Sequence, residues 1–126
     1  SATADAIFAA PSSTVGSIGC VLAFYDYSAM MEQVGIKVQV FRSGELKAAG
    51  YPGTALSDAE AAHFQGMVSD VGNDFASWVT SYREELDLSL LDGRAVSGKQ
   101  GLSLGLVDGV FTTREEAIRE FLGRFV

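Results

Sequence analysis

The chain has 126 residues, 48% apolar and 20% charged, which fits an ordinary folded protein of at most one domain with one modest core. A net charge of −7 sets it against nucleic acid and anionic lipid as partners. One His and one Cys cannot build a usual zinc site, and no apolar run approaches the roughly 20 residues that span a bilayer.

Read in chain order, the sequence starts abruptly. "SATADAIFAAPSS" has no basic start for a signal peptide and runs at once into an apolar stretch, as if from the middle of a domain. "AIFAAP" (6–11) predicts a short buried strand stopped by Pro11. "SSTVGSIG" (12–19) predicts a small-residue loop. "CVLAFY" (20–25) is a second apolar run, and within it the lone Cys20 reads as a buried, inert thiol. "DYSAMMEQVG" (26–35) predicts a short helix closed by Gly35. "IKVQVF" (36–41) alternates strictly and is rich in β-branched residues, so a strand is expected there. "RSGELKAAGYPGTAL" is a long loop punctuated by Gly and Pro.

Residues 57–83 predict a long helix. Ser57 and Glu60 form a capping box, in which the hydroxyl caps the amide three residues on and the carboxylate reaches back. Phe64, Met67, Val68, Val71, Phe75, Trp78, Val79 and Tyr82 then follow helical spacing as one apolar face. Asp58, Asp70 and Asp74 read as a solvated face, and His63 as a surface or boundary residue. Ser97 and Gln100 open a short helix closed by Gly105, "LVDGVF" is strand-like, and Thr113 with Glu116 caps a last amphipathic helix. Strands alternating with helices point to an α/β fold.

No Walker or dinucleotide glycine motif is present, so no cofactor is expected. What remains is Ser-Lys chemistry. A neutral lysine amine can act as base for a serine hydroxyl. A free lysine titrates near 10.4, so such a base must be desolvated. Lys47 sits on a loop after a predicted strand, among Ala and Gly, although Glu45 is two residues away. By residue type alone a surface lysine is the plainer reading.

"FRSGELKAAGYP" resembles the lysine segment of the SppA-like serine peptidases, the signal peptide peptidase A family with its related phage head-maturation proteases. "ADAIFAAPSSTVGSIG", "LSDAEAAHFQGMVSDVGNDFASWV" and "DGRAVSGKQGLSLGLVDGV" resemble three further family segments, in the family's order, and together they cover nearly the whole chain. The resemblance implies a ClpP/crotonase-like α/β fold truncated at its N-terminal side, with residues 1–126 as a single partial domain. It implies a serine endopeptidase that cleaves peptides or proteins through an acyl-enzyme. Lys47 would be the general base and Ser17 the second serine that orients its amine. The nucleophilic serine would lie upstream of Ser1, so this chain alone is expected to be inactive. The location would be cytoplasmic for a phage-type protein and membrane-associated if an upstream part carries an anchor.

Two other readings stand beside it. The chain is alternatively a non-catalytic assembly or scaffold fragment that forms homo-oligomers through its helices, as in phage capsid assembly. Ser1 could serve as an N-terminal nucleophile through its own amine, although only its position suggests this.

Overall fold

A computed structural model describes residues 2–124. The reading of Ser1 as a nucleophile therefore lies outside the described residues. The chain divides into two compact units, one of Ser1–Cys20 with Gly72–Val126 and one of Val21–Val71.

Among the described residues, the first unit holds four strands. β1 (Phe8–Ala9) pairs in parallel with β4 (Gly109–Val110), Phe8 opposite Gly109 and Ala9 opposite Val110. β2 (Thr14–Gly16) pairs antiparallel with β3 (Ala95–Ser97), so that Val15 faces Val96 and Gly16 faces Ala95. The stretch 12–19, predicted as a loop, thus contains a strand. Its small residues hid the signal, because a three-residue strand gains its ladder from a distant partner rather than from local propensity. A 3-10 turn at Leu88–Asp92 precedes β3, and Asp87 caps it by accepting from the Ser89 N–H. The core gathers Ile18, Val79, Leu86 and Leu90, with Leu90 fully enclosed. Arg83 is buried beside it. Its guanidinium bonds Asp108 at 2.7 Å and the Ala4 carbonyl at 3.0 Å, and Asp108 also accepts from the Ile7 N–H at 2.7 Å. This pair ties the end of the long helix to the start of both strands of the parallel sheet.

Both capping boxes predicted in the second half of the chain form. Ser97 and Gln100 close a capping box on α3 (Gly98–Ser103), and Thr113 and Glu116 close one on α4 (Arg114–Gly123). Gly105 has φ 71°, as a helix-ending glycine should.

The second unit holds α1 (Ser28–Gln33), followed by Gly35 at φ 78°, and a long loop. No strand forms over 36–41, contrary to the alternating pattern. The pattern prepares one face for burial, but a strand needs a neighbour to bond, and here Phe41 is 94% exposed. Cys20 is exposed, which corrects the expectation of a buried thiol. The apolar run that contains it is also exposed, with Val21 at 86%.

α2 (Asp58–Tyr82) contributes to both units. Its predicted capping box forms: the Ser57 N–H donates to Glu60 at 2.9 Å and the Glu60 N–H to the Ser57 hydroxyl at 3.2 Å. Its apolar face is wider than the cover it receives. Phe64, Val68, Gly72, Ala76 and Val79 are partly or fully buried. Met67, Val71, Phe75, Trp78 and Tyr82, one step around the helix, stay roughly half exposed.

Candidate active site

Ser17 stands at the end of β2 and begins the turn into the core. Its backbone is left-handed, with φ 57°, a region that non-glycine residues rarely adopt. Two features hold it there. Its N–H donates to the Arg94 carbonyl at 2.9 Å, and the next residue, Ile18, is buried in the core. Gly16, just before, has φ 113°, and a Cβ on it would lie 2.6 Å from that same carbonyl. Only glycine lets β2 come this close to the start of β3. Ser17 itself is exposed. An apolar cleft of about 600 Å³ in this unit is lined by Val15, Gly16 and Ile18 on one side and by Phe75, Trp78 and Arg83 on another.

Lys47 lies in the second unit, on a run of tight turns. Its N–H donates to the Gly44 carbonyl at 3.1 Å, that of Ala49 to Leu46 at 3.2 Å, and that of Tyr51 to Ala48 at 3.0 Å. Ala48 has φ 77°. Gly50 packs over the ring of Phe24, which in turn meets Phe64 of α2 with centroids 4.6 Å apart. Arg42, at the start of the loop, pairs with Glu60 at 2.9 Å. The loop is thus fixed at its root and along its floor, while the Lys47 side chain is exposed. Among the described residues no carboxylate forms a salt bridge with Lys47, Glu45 included.

Among the described residues, Ser17 and Ala48 are the two non-glycine residues with positive φ. One is the predicted orienting serine and the other directly follows the predicted base. Strained backbone of this kind persists only where the surroundings over-determine it, and it clusters at functional sites. Nothing in the local sequence marks Ser17 or Ala48 as left-handed, since neither serine nor alanine favours that region.

The sequence does not show the contact between Asp92 and Arg94. The Asp92 carboxylate accepts from the Arg94 N–H at 2.9 Å, from Nε at 2.9 Å and from Nη2 at 2.6 Å. These bonds hold the Asp92 carboxyl below its ordinary value, the Arg94 side chain contributing most and its N–H next. The spacing of Asp-Gly-Arg could have signalled a turn, but not which carbonyl it presents. Among the described residues, no three His, Cys, Asp or Glu side chains gather as a metal site would need, and no helix is long and apolar enough to cross a membrane.

The chain mixes helices with two small sheets. The model of peptidase family S49 matches residues 1–121, and the chain belongs to that family. It is 34% identical, over 95% of its length, to a Methanocaldococcus jannaschii protein that bears a provisional protease name. It is 33% identical, over 87%, to an Enterococcus faecium protein provisionally named signal peptide peptidase SppA. It is also 30% identical, over 74%, to the capsid assembly protease C of Escherichia phage lambda. The chain spans 39%, 33% and 22% of the lengths of these relatives.

Proposed function

We propose that this chain is the base-carrying part of a serine endopeptidase that works through a Ser-Lys dyad on a ClpP/crotonase-like scaffold. The neutral Lys47 amine takes the proton of a serine hydroxyl as its oxygen attacks the scissile carbonyl carbon. The amine then hands that proton to the leaving nitrogen, and an acyl-enzyme remains for water to hydrolyse. The nucleophile is a serine upstream of Ser1, and Ser17 orients the amine. The observation that carries the reading is the strained backbone at Ser17 and beside Lys47, both within residues 1–121 that the family model matches. Lys47 is exposed here, so the shielding its amine needs comes from polypeptide beyond these residues or from bound substrate. The substrates are peptides or proteins in extended form.

Fluorophosphonate labelling tests this, run on the gene-length protein and on the 126-residue chain, each with a Lys47→Ala control. The expected result is labelling of the long form only, abolished by Lys47→Ala. Labelling of the short chain by itself would place the nucleophile among its own serines and overturn the assignment.

A second reading, assembly into homo-oligomers, is favoured by the half-exposed stripe Met67, Val71, Phe75, Trp78 and Tyr82 on α2. It is compatible with catalysis and also stands without it.

A further inference from the structure

We infer that Asp92 is a positioning residue for the reaction, acting on Ser17 through the Arg94 carbonyl; the inference rests on Ser17 being part of the site. The chain of constraint starts in the core. Leu90 is fully buried, and the Asp87 N–H donates to the Leu104 carbonyl at 2.9 Å, so the 3-10 turn Leu88–Asp92 is fixed from both sides. Gly93 follows at φ 87° and reverses the chain. Asp92 then grips the residue beyond it twice, at the Arg94 N–H and at the guanidinium. With its N–H and side chain both held, Arg94 is anchored at the entry to β3, and its carbonyl accepts the Ser17 N–H as the next rung of the β2–β3 ladder. The same carbonyl faces Gly16 across the β2–β3 ladder, where no side chain could intervene.

The Asp92–Arg94 pair is hard to explain as a stabilising contact. Its side chains are 50% and 55% exposed, and exposed ion pairs contribute little to stability. Yet it engages both carboxylate oxygens and a backbone N–H, a bidentate arrangement that adds geometric specificity. The left-handed Ser17 needs direction: relaxed to an ordinary backbone, its hydroxyl would point elsewhere.

The test is the phosphonylation of the gene-length protein by a fluorophosphonate probe, in which the serine oxygen displaces fluoride from phosphorus, resolved into a maximal rate and a half-saturating concentration and corrected for folded fraction. Asp92→Ala should lower the maximal rate between about ten- and a hundredfold and leave the half-saturating concentration unchanged, as misplacement without loss of binding does. Asp92→Asn should recover most of the rate, because its amide oxygen still accepts the Arg94 N–H. Arg94→Ala, which leaves that backbone bond intact, should be milder than Asp92→Ala. Should Asp92→Ala fail to fold, Asp92→Asn against Asp92→Ser decides, with Asn the faster. A normal rate in Asp92→Ala beside a slowed Ser17→Ala overturns the inference, as does equal loss in the Asn and Ala (or Asn and Ser) variants. A normal rate in Ser17→Ala instead removes Ser17 from the site, a failure of the underlying reading that is distinguishable from the first.

Discussion

At single residues, backbone conformation says more than side-chain type. Gly16 and Gly44 look alike in sequence and differ in what surrounds them. Gly16→Ala forces a Cβ against the Arg94 carbonyl at an already left-handed φ and should cost roughly 1–3 kcal/mol. Gly44→Ala meets open space and should change stability by no more than about 1 kcal/mol, in the stabilising direction where its backbone suits alanine. Urea denaturation of the two variants separates these outcomes; equal midpoints would mean that the β2–β3 approach is looser than described. Asp108 presents the opposite problem, that of a needed partner. Arg83 is buried, and Asp108→Ala would leave its guanidinium without a counter-charge, at about 3 kcal/mol. A double variant, Arg83→Met with Asp108→Ala, should recover part of that loss in the same assay.

At the level of elements, the helices are set by their first turns. Thr113→Ala removes the hydroxyl that accepts the Glu116 N–H and should cost about 1 kcal/mol, read as a drop in Tm. The start of α2 adds a pH dependence. The Glu60 carboxyl lies below its ordinary 4.5 because the Ser57 backbone N–H bonds it, with the Ser57 hydroxyl and Arg42 adding to the effect against the burial that opposes it. Its pKa is therefore lower folded than unfolded. The stabilisation is fully present above about pH 4.5 and is lost as the pH falls through the folded value. Wild type should exceed Glu60→Gln in Tm at pH 7, and the gap should close toward pH 3. A gap that widens in acid would refute the assignment. The neighbouring 36–41 stretch shows the limit of pattern. It alternates as a strand should, and without a paired neighbour it is not one.

Among the described residues, the enclosed apolar side chains are Ile18, Val79, Leu86, Leu90 and Val107, while many large apolar side chains remain exposed. Surface of this kind usually marks an interaction site. Self-association is therefore expected to rise with concentration in sedimentation velocity, and Val71→Lys on the uncovered stripe should shift it toward monomer without lowering Tm. Val71 is itself exposed, so the change disturbs no core. An unchanged sedimentation distribution would move the interface elsewhere.

Much of this protein was legible from residues alone because the signals are local. A serine or threonine and an acid or amide three residues apart make a helix start wherever they occur, and all three predicted capping boxes form. The family was legible too, in the resemblance of short segments spread along the chain, and the family model matches residues 1–121. Non-local facts were settled by tertiary structure. Thr14–Gly16 became a strand because Ala95–Ser97 lies beside it. Cys20 lies exposed because an apolar run does not supply its own cover. The left-handed turns at Ser17 and Ala48 follow from what holds them, the Arg94 carbonyl for one and a stack of tight turns for the other. Local bonds are written in spacing, whereas strand pairing, burial and strain depend on which distant residue arrives, and one segment of sequence does not specify that.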